Sequence, residues 1–199
     1  MRNVGLKKMT ATATGLLLIF LFSSPQAKNS SAPFETLKIS LNMAMNANKN
    51  IFHEYWDQSP AVDLMVEFPF YTGLIQAGFQ VAHNSSVKSG VADYTSIFLY
   101  LGWGWEFVLP YRLKWYNGVQ VGNYQIIYEQ EEYIGHNLES ELGAGIYSCI
   151  AIPVRSNWFT NISARCQKIY THHRIHHTFV GIGIGYNSDT PRWLKRFLQ

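Results

Sequence analysis

Seven histidines and a set of carboxylates are the residues of this chain best equipped for chemistry. His53, His83 and His136 stand apart, while His172, His173, His176 and His177 crowd into one tract. Glu54, Asp57, Glu129, Glu131 and Glu132 fall in the same kinds of segment. Imidazoles beside carboxylates can bind Zn²⁺ or Cu²⁺, and imidazoles titrate in mildly acid water. No spacing here repeats a known metal site, so a polar, water-facing rim is the simpler expectation. No metal or other cofactor is expected.

A second set of charges is spaced differently. Lys38, Glu67, Glu106, Lys114, Glu141 and Arg165 each sit in a stretch where polar and apolar residues alternate. Tyr100, Tyr116 and Gln120 share their face. Paired glutamates can act as acid and base, but they do not by themselves indicate that chemistry. His83-Asn84-Ser85 sets an imidazole two residues from a hydroxyl, and Cys149 and Cys166 are the only thiols.

What must position these residues is a series of strands. The first, near 35–46, alternates Leu37, Ile39, Leu41, Met43 and Met45 with Lys38, Ser40, Asn42 and Ala44. The second, near 61–71, sets Val62, Leu64, Val66, Phe68 and Phe70 against Asp63, Met65, Glu67 and Pro69. The third sets Ile75, Ala77, Phe79 and Val81 against Gln76, Gly78 and Gln80. The fourth, 94–108, opposes Ile97, Leu99, Leu101, Trp103, Trp105 and Phe107 to Ser96, Tyr100, Gly102, Gly104 and Glu106. Four more follow, at about 113–128, 139–152, 158–170 and 178–187. A period of two gives each strand one apolar face.

The links alternate in length. Those after strands two, four and six are short: Thr72-Gly73, the region of Pro110 to Arg112, and Pro153 to Asn157. Those after strands one, three and five are longer, at 47–60, 84–93 and 129–138. Eight strands joined in this way predict an antiparallel up-and-down barrel over 28–188. Cys149 and Cys166 fall on neighbouring strands, where a disulfide is conceivable; this register points Cys149 inward and Cys166 outward, which would forbid it, and a one-residue slip would allow it, so two free thiols are the expectation.

The N-terminus predicts export. Arg2, Lys7 and Lys8 precede a short apolar core from Gly15 to Phe22, and small or polar residues from Ser23 to Ala27 suit cleavage after Ala27. Residues 1–27 are therefore expected to be a removed signal peptide. Three of the 16 Lys and Arg residues belong to it, which leaves 13 basic residues against 13 acidic ones. With the excess positive charge gone, nucleic acid is not an expected partner. Charged residues are 15% of the chain and aromatics another 15%. That composition suits a barrel whose outer face meets lipid better than one exposed to water.

Phe70, Trp103, Trp105, Trp115, Trp158 and Tyr186 gather at the short-link ends of the strands, where an interfacial girdle belongs. Tyr94, Tyr128 and Tyr170 mark the opposite ends. Together these patterns resemble the small eight-stranded bacterial outer-membrane barrels of the OmpA and OmpX type. The strand from Phe179 to Tyr186 is similar to the closing strand that the barrel-assembly machinery recognises in such proteins. The resemblance implies a monomer in the outer membrane, surrounded by lipid and lipopolysaccharide, with the long loops facing outward. It also implies a structural, surface-binding or interaction role with no evident catalytic site.

Alternatives remain open on the sequence alone. A soluble lipocalin-like barrel would show the same alternation with the apolar face inward. Some small outer-membrane barrels remodel lipid A, including a deacylase with a His-x-Ser pair and a glutamate, which His83 and Ser85 match minimally. The inward charges read as a salt-bridged plug, or else as a narrow gated pore. The loop at 47–60, with Phe52, Tyr55 and Trp56 among charges, is the expected contact surface. Beyond the last strand, residues 189–199 predict a short amphipathic helix. In it Trp193, Leu194, Phe197 and Leu198 are interleaved with Arg192, Lys195 and Arg196. Three readings of that tail stand: it lies on the membrane surface, docks a periplasmic partner, or packs against the barrel mouth.

Overall fold

The computed structural model describes residues 33–48, 51–129, 138–171 and 175–198. The expected signal segment lies outside them. The described residues form nine strands: β1 (Thr36–Asn46), β2 (Trp56–Gln58), β3 (Ala61–Phe70), β4 (Gly73–Ser86), β5 (Tyr94–Val108), β6 (Lys114–Tyr128), β7 (Leu138–Arg155), β8 (Trp158–Ile169) and β9 (Ile175–Asp189). A helix, α1 (Arg192–Leu198), follows. From β3 onward each strand pairs antiparallel with the next, and β1 pairs with both β3 and β9. The sheet therefore closes on itself as an eight-stranded up-and-down barrel, and none of the described long strands is left with an open edge.

The ninth strand, β2, is the part that strand periodicity did not show. Trp56, Asp57 and Gln58 pair with Ser86, Ser85 and Asn84 at the far end of β4, in line with β3. Pro60 has no amide to donate, so the pairing breaks between β2 and β3 while the backbone direction is kept. The Ser59 amide bridges the gap with a hydrogen bond to the His83 carbonyl at 2.9 Å.

Two of the short connections fall at slightly different residues than expected. Tyr71 and Thr72 turn the chain between the paired residues Phe70 and Gly73, and Tyr71 takes φ +50°. Pro153 lies within β7 rather than in the following link. A register shift between Pro153 and Arg155 accommodates it, and Ser156-Asn157 makes the turn. We call the end that carries these turns the turn end, and the opposite one the loop end.

Side chains sort by face as the period of two requires. Leu101 and Ile182 on the outside are 63% and 68% exposed, whereas Gln76 and Asp63 inside are 1% and 2% exposed. A lipocalin-like barrel, with its apolar residues inside, would show the inverse of this arrangement. Cys149 is buried, Cys166 is exposed on the wall, and both are free thiols. Trp158 packs on Tyr186 at 5.0 Å and Phe107 on Trp115 at 5.8 Å, so the turn-end aromatics form a band.

Interior space is shared between large rings and glycines. A Cβ on Gly185 would stand 2.1 Å from the ring of Phe159. Gly185→Val should therefore displace that ring and cost about 1–3 kcal/mol, the usual range for overpacking. A shifted denaturant midpoint in lipid would record it. An unchanged midpoint would mean that Phe159 does not fill this space.

Candidate functional site

Two polar layers cross the lumen. In the layer nearer the turn end, the Lys38 ammonium on β1 reaches Glu106 on β5 and the hydroxyl of Tyr116 on β6. Lys114 holds the other oxygen of Glu106 at 3.1 Å. Glu67 stands opposite Lys38 in the β1–β3 register and accepts a hydrogen bond from Gln76 at 2.7 Å. Gln120 donates to the Gln76 carbonyl oxygen at 3.2 Å, so five strands are tied together at this level.

The second layer lies four residues further along β1. Arg165 of β8 donates to Asp63 Oδ1 of β3 at 3.0 Å, and Tyr100 of β5 donates to the same oxygen at 2.8 Å. Asn42 donates to Asp63 Oδ2 at 3.1 Å. The guanidinium lies over the ring of Tyr100 at 4.6 Å, with the ring of Tyr147 at 5.4 Å. Lys38 and Lys114 pair with Glu106 and Arg165 pairs with Asp63, while Glu67 is held by Gln76, so the two layers together carry three basic and three acidic side chains. Buried charges persist only when paired and hydrogen-bonded in this way.

Of the six charges expected in the lumen, five join these layers. Glu141 shares the inward face of β7 but sits near the loop end, opposite Tyr124 and apart from the network. Asp63 is the residue that charge-counting missed, and it is the central acceptor of the second layer. Its place two residues before Met65 and four before Glu67 on one strand face was the available signal.

A cluster of aromatic side chains packs inside the loop end. Phe52 is buried, stacks on Trp56 at 5.6 Å and meets His177 edge-on at 4.9 Å. Trp56 leans on Tyr94 at 5.4 Å and donates its indole N–H to the Ala92 carbonyl at 3.0 Å. The expectation that Phe52 and Trp56 form a contact surface is therefore corrected. The pairing of β2 with β4 holds their loop beside the end of the barrel with these two rings turned inward, and Tyr55 alone of the three faces out. The Lys88 ammonium lies over the Tyr55 ring at 4.0 Å, which joins this loop to the one at 87–93.

The histidines divide among different tasks. His53 Nε2 donates to the Asn48 carbonyl at 2.7 Å. Asn46 donates to Nδ1 of the buried His177 at 3.0 Å, and His176 is exposed beside it. His83 points outward from β4 and meets Glu129 at 3.4 Å. His136, His172 and His173, with Glu131 and Glu132, lie outside the described residues. Among the described residues, no three His, Cys, Asp or Glu side chains are grouped to hold a metal ion. Ser85 shares the outward face of His83, and no hydrogen bond joins the two.

Asp93 is the loop residue with a clear electrostatic setting. Hydrogen bonds from the Ser86 side chain and backbone hold its carboxyl below the ordinary carboxylate range, and the amide contact is 2.7 Å. A lowered folded pKa means that this tie is intact above the ordinary range and is lost as pH falls through the lowered value. Asp93→Asn is expected to speed proteolysis in the segment 87–93 at neutral pH but not in strong acid. Equal protection at both pH values would remove Asp93 from that role.

No protein family and no curated protein matches the chain by sequence. Solved structures do resemble it. The crystal structure of Neisserial surface protein A is 10% identical, covers 78% of this chain and 97% of its own, and gives a TM-score of 0.55. The N-terminal β-barrel domain of Pseudomonas aeruginosa OprF is 10% identical over 78% of this chain and 99% of its own, with a TM-score of 0.50. The Yersinia pestis outer-membrane protein Ail, determined in a phospholipid bilayer nanodisc, is 13% identical over 77% and 99%, again with 0.50. At such identities the likeness is one of fold. The chain has the fold of the small eight-stranded outer-membrane barrels.

Proposed function

We propose that this chain is an exported protein of the bacterial outer membrane whose barrel is a closed scaffold and whose working surface is its outward loop rim. The observation that carries the reading is the inverted barrel: an apolar belt outside and a charge-balanced, hydrogen-bonded lumen inside. An eight-stranded barrel has little interior beyond what side chains fill. Here the two polar layers and the aromatic cluster occupy it, which favours a surface-binding or interaction role over transport. The turn end then faces the periplasm, and the rim, with Glu54, Tyr55, Asp57, Lys88 and Glu129, faces lipopolysaccharide and the medium.

Heat modifiability tests the membrane part of the reading. Purified protein run unboiled on an SDS gel is expected to migrate faster than the boiled sample and to give a β-rich circular dichroism spectrum in mild detergent. A water-soluble protein with no shift would overturn it. Planar-bilayer recording tests the closed scaffold, with no steady conductance as the expected result; discrete open levels would contradict it. Lipid A incubated with the protein should keep all its acyl chains, and loss of one would favour the deacylase reading of His83 and Ser85.

A further inference from the structure

We propose that α1 is an interfacial anchor that binds anionic phospholipid at the turn-end membrane surface. The proposal rests on the membrane reading above. It starts from two rings in the wrong place for a water-soluble tail: Trp193 is 71% exposed and Phe197 is 82% exposed. They stand four residues apart on α1 and therefore share a face. A tail packed against the barrel mouth would bury them, so that reading fails.

The charges of the helix name the occupant. Arg192, Lys195 and Arg196 are interleaved with the two rings, and α1 contains no acidic residue. A Trp and a Phe beside three cations match an interface of anionic headgroups over acyl chains. A soluble protein partner would have to present a groove that is both acidic and apolar, a more exacting demand than a membrane surface already at hand.

Position supplies the second argument. Thr190 is buried, and its amide donates to the Glu35 carbonyl at 3.1 Å, so the chain is pinned to the barrel wall where α1 begins. Tyr186, four residues earlier, belongs to the turn-end aromatic band. The four residues from Tyr186 to Thr190 carry the chain at most about 10 Å beyond that band, so α1 begins within reach of the headgroup level where such a band lies. The Lys195 amide closes the first helical turn on the Pro191 carbonyl at 2.9 Å. The anchor is thus a short, tethered helix delivered to the surface by the strand that closes the barrel.

The test uses the full-length chain, with Cys149→Ser and Cys166→Ser, carrying an environment-sensitive dye on Phe197→Cys. It is reconstituted in phosphatidylcholine vesicles with and without phosphatidylglycerol, and spin-labelled lipid serves as quencher. Quenching about threefold greater in the anionic vesicles is expected, falling towards the neutral-vesicle value in high salt or with Arg192→Glu, Lys195→Glu and Arg196→Glu together. Emission typical of water in both vesicles would overturn the proposal and leave the face open to a soluble partner. Equal quenching in both, unmoved by charge reversal, would also overturn it, since the cations would then play no part. Gel mobility of the same unboiled samples is read alongside. A barrel that fails to insert refutes the membrane reading and is recognised separately from an inserted barrel with a free tail.

Discussion

Arg165→Met is expected to destabilise the barrel by about 3–5 kcal/mol, the usual cost of stranding one member of a buried ion pair. Arg165 and Asp63 are 4% and 3% exposed at their side chains and 3.0 Å apart, so solvent cannot take over the role of the lost cation. Asp63 would keep Tyr100 and Asn42 as donors, but neither neutralises its charge. The double variant Asp63→Asn, Arg165→Met should recover most of the loss, because it removes both charges and leaves a neutral amide at position 63 that can still bond its neighbours. Urea unfolding in phospholipid vesicles, followed by tryptophan fluorescence, measures parent, single and double variant alike. A single variant within about 1 kcal/mol of the parent would show that Asp63 is relieved by water reaching the lumen. The Glu106 cluster offers a weaker version of the experiment, since Glu106 and Lys114 are partly open at the turn end.

The second large effect is outside the barrel. Leu101→Arg should cost about 2–4 kcal/mol, the range for an arginine near the bilayer midplane on a lipid-facing strand. Leu101 lies midway along β5, between Ala77 and Val121 on the neighbouring strands. Val87→Arg is the matched control. Val87 is 62% exposed and Leu101 63%, so a protein in water would tolerate both changes alike. In the membrane account only Leu101 faces acyl chains, and Val87→Arg should stay within about 0.5 kcal/mol of the parent. Equal, small effects at the two positions would contradict a lipid-facing belt.

The barrel was legible in the sequence because a closed sheet with apolar residues outside and polar packing inside imposes one period on every strand. Ile39, Leu41 and Met43 against Lys38, Ser40 and Asn42 carry that period with no exception, and the β1 register follows from it. Features that depend on contacts distant in sequence were not legible. β2 is held by the end of β4, and Pro60 hides it by breaking the run. Pro153 reads as a turn residue in isolation, yet a bulge keeps it within β7. The inward turn of Phe52 and Trp56 depends on Tyr94 and His177, and no local pattern reports that. In the lumen, the inward face was readable from spacing, but the partners were not. Which carboxylate meets which cation is decided by the stagger of strands around the ring, and that stagger made Asp63 a hub and left Glu141 aside.

The measurement that tests the central claim most directly is a spin-label scan along β1. Single cysteines at positions 39–45, in a chain with Cys149 and Cys166 replaced, would be labelled and reconstituted in lipid. Collisions with oxygen, which dissolves in acyl chains, and with a water-borne nickel chelate are then recorded. Labels at Ile39, Leu41, Met43 and Met45 should meet oxygen strongly and nickel little, while those at Ser40, Asn42 and Ala44 should meet neither. Loss of that alternation, or nickel reaching the outward positions, would contradict the inverted barrel and the function built on it.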